Sequence, residues 1–140
     1  MDFDKLITNG EIIDGTGKLR YKADIGIRSG KIKAIANLEH CDAKHVIDAT
    51  GLIIAPGFID IHTHSDLSAI DDPGADSKVH QGVTTEVVGN CGFSLFPDLP
   101  PEDPAPSFQI FNRRGNKAWS DAATYFADLE ASESYTNVAA

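Results

Sequence analysis

The chain is poor in positive charge: 12 Lys and Arg stand against 21 Asp and Glu, giving a formal net charge of -9. Nucleic-acid binding needs clustered Lys and Arg to neutralise phosphates, and here they are scattered, with only Arg113 and Arg114 adjacent. The same balance disfavours docking on an anionic membrane surface. Long apolar runs are missing as well, since none approaches the roughly 20 residues of a membrane span. No basic segment followed by an apolar core opens the chain, so no secretory signal is visible. Cysteine is limited to Cys41 and Cys91, far apart in sequence. Without a secretory signal they read as reduced thiols rather than a disulfide, and the cytoplasm is the expected location. Proline is sparse except at positions 97, 100, 101, 104 and 106. The segment Phe93 to Pro106 therefore cannot be helix or central strand. It reads equally as a wall over a site or as a solvated spacer. What remains, 41% hydrophobic and 24% charged over 140 residues, has the balance of one ordinary globular domain.

The most informative stretch is Gly51 to Asp66, GLIIAPGFIDIHTHSD. Its apolar residues, broken once by Pro56-Gly57, predict a strand buried on both faces, as in parallel sheets. Side chains alternate along a strand, so His62, His64 and Asp66 are expected on one face and Thr63 and Ser65 on the other. Same-face neighbours lie roughly 6–7 Å apart, close enough for two imidazoles to converge on a cation where the strand end twists. Chemistry in parallel α/β folds collects at the carboxyl ends of strands. Two histidines buried there without a partner would be costly. A metal site is the reading their spacing favours.

Upstream, Lys5 to Thr8, Asn9-Gly10 and Glu11 to Asp14 predict a hairpin closed by a type I′ turn. Asp24 to Arg28, Ser29-Gly30 and Lys31 to Ile35 predict a second hairpin, and His45 to Ala49 one more strand. Gly15-Thr16-Gly17-Lys18 lacks the frame of a phosphate loop. His40, Cys41 and His45 have no ordered ligand spacing and read as surface loop residues. Downstream, Ala75 to Gln81 predicts a short helix closed by Gly82. Val83 to Val88 follows as a β-branched strand, after a connection long enough for a parallel crossover. That strand ends in Gly89-Asn90-Cys91-Gly92, at the level of the two histidines. Alone, Cys91 would be a buried inert thiol. Beside the histidines, on a strand about 4.8 Å away, it becomes a candidate third ligand. Ser120 is the expected N-cap of a helix whose stripe of Ala122, Tyr125, Phe126 and Leu129 packs a core. Thr136 to Ala140 begins a third strand.

These pieces resemble the metal-dependent amidohydrolase superfamily, and within it most of all the N-terminal part of the N-acyl-D-amino-acid deacylases. The resemblance rests on LITNGEIIDGTG, APGFIDIHTHSD, QGVTTEVVGNCGFS and the helix after Trp119 leading into NVAA, and it spans essentially the whole chain. GFIDIHTH marks only the superfamily, whereas GVTTEVVGNCG, with its cysteine after strand two, is more specific. The resemblance implies an α/β fold, a TIM-type (β/α) barrel flanked by a small β-sandwich, present here only as its N-terminal portion. Residues 1–54 would belong to the sandwich and 55–140 to the first strands and helices of the barrel. It implies Zn2+ held by His62, His64 and Cys91, donors that suit zinc better than magnesium or calcium. Asp66 and Asn90 would stand beside the ligands or the substrate. Two further histidines and the general-base aspartate would lie beyond Ala140, so the catalytic acid–base residue is unknown here. A (β/α)₈ barrel takes about 250 residues, so the remainder of its own longer chain is an expected partner. The implied activity is zinc-dependent hydrolysis of the amide of a small-molecule N-acyl-D-amino acid. Open alternatives are cyclic amides or dipeptides, as in hydantoinases and dihydroorotases, or a non-catalytic truncated product. Alone, the 140 residues are expected to be poorly stable and inactive.

Overall fold

Residues 2–74, 76–97 and 119–140 are described by a computed structural model. Beyond Pro97, the proline-rich segment and Arg113-Arg114 lie outside the described residues. The chain separates into two compact units, Met1–Pro56 and Gly57–Ala140. No helix among the described residues is long and apolar enough to cross a membrane.

The first unit contains β1 (Phe3–Thr8), β2 (Glu11–Ile12), β3 (Tyr21–Lys22), β4 (Asp24–Arg28), β5 (Lys31–Ala36), β6 (Ala43–Asp48) and β7 (Ile53–Ile54). They form a four-stranded sheet in the order β5-β4-β1-β6 and a three-stranded sheet in the order β3-β2-β7. The hairpin of β4 and β5 turns at Ser29-Gly30, where φ is 53° and 70°, the paired positive angles of a type I′ turn. The hairpin expected at Asn9-Gly10 does not form. β1 instead pairs with β4 and β6, while β2 pairs with β3 and β7. Only Asn9 has a positive φ, and hydrogen bonds steer the chain from one sheet to the other. The Asn9 amide donates to Asp24 Oδ1 at 3.1 Å, and its side chain donates to Asp48 Oδ1 at 3.0 Å. Gly10 is required there for close approach, because a Cβ would run into the side chain of Ile54.

The second unit holds β8 (Phe58–Asp60), α1 (Ser68–Asp71), α2 (Asp76–Val79), β9 (Val83–Val87), α3 (Ala122–Ala131) and β10 (Asn137–Ala139). Its three strands form a parallel sheet with β9 in the middle. Across it, Asp60 is level with Glu86, and Glu86 with Val138. The described residues of this unit thus form a parallel α/β layer rather than a closed barrel. Leu67, Ala69, Ile70, Leu95, Trp119, Tyr125 and Leu129 form the core, with Phe96, Phe126 and Val138 packed against it. Tyr125 and Leu129 come from the stripe expected on α3, whereas Ala122 of that stripe is exposed. Asp121, not Ser120, caps this helix. Its carboxylate accepts the Thr124 amide at 2.8 Å, while the Thr124 hydroxyl accepts the Asp121 amide at 3.3 Å. That reciprocal pair satisfies two free donors where Ser120 could satisfy one.

The long buried strand expected over Gly51 to Asp66 is replaced by two short ones, β7 and β8, separated at the Pro56-Gly57 break. Nor is it covered on both faces: Phe58 is 62% exposed, Ile59 61% and Ile61 75%. Side chains alternate, so the helices and loops that bury Glu86 cover one face of this sheet. Among the described residues, no second layer covers the face bearing Ile59 and Ile61.

Candidate metal centre

Pairing with β9 carries the chain past Asp60, and the Thr63 amide donates to the Val87 carbonyl at 3.2 Å. The two histidines stand on either side of this anchored residue. Both rings are exposed, whereas Thr63 and Ser65 are buried. The alternation holds locally from His62 to Ser65 but is out of step with β8, since Asp60 and Thr63 both bond to Lys78 across the bend at Ile61 and His62. Asp66 does not join the histidine face; it is 2% exposed and turned into the interior. The chain bends here into the turn before α1, which breaks the two-residue period.

Cys91 arrives from the other side, in a 3-10 turn over Asn90–Gly92 at the end of β9. Gly89 and Cys91 both occupy the left-handed region, with φ of 76° and 58°. For a residue with a Cβ this backbone is disfavoured, and such residues concentrate at sites where geometry is dictated by function. The result brings the sulfur to 3.2 Å from His62 Nε2. One donor atom from each of His62, His64 and Cys91 lies within 4.8 Å of the others. The histidine rings meet edge to face at 5.7 Å, and Phe93 packs edge-on against His64 at 5.1 Å.

Two side chains lock the loops that carry these donors. Asn90 donates to the Val87 carbonyl at 2.7 Å and to the Thr63 carbonyl at 3.3 Å, tying the cysteine turn to the residue between the histidines. Asp66 Oδ1 accepts the Gly89 amide at 3.0 Å, so it braces the same turn from below. Burial pushes the Asp66 carboxyl upward, against the Gly89 hydrogen bond and the nearby His64, and its Oδ2 has no hydrogen-bond partner among the described residues. The Tyr125 hydroxyl donates to the Asp66 carbonyl at 2.7 Å, linking α3 to this loop.

Chemically, the three donors suit a metal such as zinc. Two ligands of a tetrahedral zinc lie about 3.5 Å apart, close to the observed sulfur-to-nitrogen separation. Imidazole and thiolate are the donors that zinc prefers. Three protein ligands with an open side are what a catalytic centre needs, since one position must remain for water or substrate. His40, Cys41 and His45 form no such group among the described residues.

Sequence reasoning missed what lies beneath the histidines: Lys78, Glu86 and Thr136, joined to Asp60, Thr63 and Ser65. The available signal was Glu86 itself, a carboxylate inside a run read as a β-branched strand, which demands a partner if that strand is covered.

The model of the amidohydrolase family matches residues 45–129. The chain is 43% identical to an N-acyl-D-glutamate deacylase of Alcaligenes xylosoxydans xylosoxydans, over 98% of this chain and 28% of that protein. It is similar to the crystal structure of N-acyl-D-glutamate deacylase from Bordetella bronchiseptica, complexed with zinc and a phosphonate inhibitor. That match has a TM-score of 0.87 and 45% identity, over 99% of this chain and 29% of the other. A D-aminoacylase structure described as having a binuclear metal center matches with a TM-score of 0.88 and 36% identity, over 98% of this chain and 29% of that one. The chain thus spans less than a third of the length of these relatives.

Proposed function

The chain belongs to the amidohydrolase family, and from that premise we propose that it is the N-terminal part of a zinc-dependent hydrolase that cleaves the amide of N-acyl-D-amino acids. The observation that carries this reading is the meeting of His62, His64 and Cys91 at the carboxyl ends of two parallel strands. Zinc is favoured by the donor set and by the zinc in the Bordetella relative. The acyl-amino-acid substrate is supported by the chain's similarity to N-acyl-D-glutamate deacylases.

In this reading His62 and His64 would each offer the metal a ring nitrogen, and Cys91 its sulfur. When bound, zinc supplies Lewis acidity, which polarises a carbonyl and lowers the pKa of water toward about 7. Asn90 and Asp66 hold the two loops at the separation the donors need, through the hydrogen bonds to Thr63, Val87 and Gly89. Phe93 packs edge to face against the His64 ring and restrains it from one side. A general base, further ligands and the remaining strands of a TIM-type barrel would come from the rest of the protein. Those strands would also cover Ile59 and Ile61, whose exposure leaves an apolar sheet face bare.

The test is made on the full-length parent protein. Zinc content and hydrolysis of N-acetyl-D-amino acids, their L-enantiomers and hydantoins are measured with and without His62→Ala and Cys91→Ala. The expectation is D-selective deacylation, with zinc and turnover lost in both variants. Full zinc and full turnover in both would refute the centre, and a preference for hydantoins would refute the substrate.

A further inference from the structure

The hydroxyls between and after the histidines point away from the metal face and end in a polar cluster. Thr63 Oγ1 and Ser65 Oγ are 2.8 Å apart. Ser65 donates to the Glu86 carboxylate at 2.5 Å, and Glu86 accepts a second hydrogen bond from the Thr136 hydroxyl at 2.8 Å. Lys78, from α2, donates to the Asp60 carboxylate and to Thr63 Oγ1 at 3.0 Å. Its ammonium also lies 3.7 Å from Glu86 Oε2. Glu86 is 1% exposed in the middle strand of the sheet, and each of its oxygens accepts a hydrogen bond from a neighbour.

An ion pair to a buried carboxylate generally adds little stability over apolar residues of the same volume. What it does supply is direction, because each hydrogen bond fixes an angle that apolar packing leaves free. Here the fixed groups are Asp60, Thr63 and Ser65, which lie before, between and after the two histidines. Asp60 adds a local restraint, accepting the His62 amide at 3.3 Å through its other oxygen. With Thr63 and Ser65 held down by this cluster, the alternating His62 and His64 are turned up together.

We propose that Lys78 and Glu86 are positioning residues for the metal centre, gripping the Thr63–Ser65 side of the histidine loop so that both imidazoles face one cation. The inference rests on the metal-binding reading above and extends it to residues on the opposite face of the sheet. Supporting groups behind metal ligands typically govern affinity by about 10–100-fold.

The experiment uses the full-length protein stripped of metal. It is titrated with Co2+ to read the electronic spectrum, including the thiolate band from Cys91, and with Zn2+ against a chelator to read affinity. His62→Ala controls for the centre itself, and Lys78→Met, Lys78→Arg and Glu86→Gln test the cluster. Lys78→Met and Glu86→Gln are expected to weaken zinc binding by about 10–100-fold and alter the cobalt spectrum, with Lys78→Arg recovering most of the affinity. Should Lys78→Met fail to fold, Glu86→Gln decides alone, since it keeps the side chain's size while replacing one of the two acceptor oxygens that Ser65 and Thr136 use with a donor-only amide group. Parent-like affinity and spectrum in Glu86→Gln, with His62→Ala impaired, overturn the positioning role only. A parent protein that takes up no metal, or a His62→Ala variant that matches it, overturns the metal centre and this inference together.

Discussion

Replacing Tyr125 with Phe removes one oxygen from the interior of the second unit and little else. The ring is 0% exposed and packs against Phe96, Trp119 and Phe126 at centroid distances of 5.0, 5.5 and 5.3 Å, contacts that Phe can keep. Its hydroxyl donates to the Asp66 carbonyl at 2.7 Å. Burial, reinforced by the Asp66 and Glu86 charges, raises the hydroxyl's pKa, so it stays a neutral donor throughout the usual range. The amide that an α-helical turn would send to Asp66 belongs to Ile70, and it donates to Leu67 at 3.0 Å instead. Deleting the hydroxyl therefore strands a carbonyl inside the core. The cost is that of an unsatisfied buried acceptor, about 1–3 kcal/mol. With a urea dependence of about 1–3 kcal/mol per molar, the midpoint should fall by about 1 M. Trp119 is the single tryptophan of the chain and sits in the same core, so its emission during urea unfolding of the 140-residue chain reports this unit directly. A midpoint shift under about 0.3 M at unchanged slope would refute the reasoning.

Cys91→Gly should lose the metal as Cys91→Ala does, yet be more stable than the alanine variant by about 1 kcal/mol, because only glycine is at ease at a φ of 58°. Thermal unfolding and zinc competition on both variants separate the two effects; equal stability would contradict the backbone argument. Gly57→Ala should destabilise the β8–β9 pairing by about 1–3 kcal/mol, since a Cβ there meets the Thr84 side chain. Adding Thr84→Gly should recover part of that loss in urea unfolding, and no recovery would assign the cost elsewhere. Hydrogen bonds from the Thr124 amide and hydroxyl hold the Asp121 carboxyl below its ordinary value of 3.8. Its support of α3 should therefore be complete above that value and fade as pH falls through the lowered one. Asp121→Asn should flatten the acid slope of helicity measured by circular dichroism, and an unchanged slope would remove Asp121 as its source.

Much of the site was legible because its signals are local. The H-x-H spacing, the β-branched run ending in Gly89-Asn90-Cys91 and the connection between them placed three donors at matching strand ends. The Ser29-Gly30 hairpin was legible for the same reason: four consecutive residues contain the whole turn. Asn9-Gly10 carries an equally strong local signal and was misread, because Asp24 and Asp48, 15 and 39 residues away, outbid the hairpin for Asn9. Asp66 was misplaced because strand periodicity was extended through a bend that only the packing around α1 imposes.

The sequence by itself determined which residue types could bind a metal and on which segments they ride, since spacing and strand period are properties of adjacent residues. Tertiary structure alone decided that Cys91 reaches His62, that Asp66 turns inward, and that Lys78 meets Asp60 and Glu86. Those outcomes depend on register between strands and on which face a crossover segment covers. Both are settled by contacts between residues distant in the chain, and no local pattern encodes them.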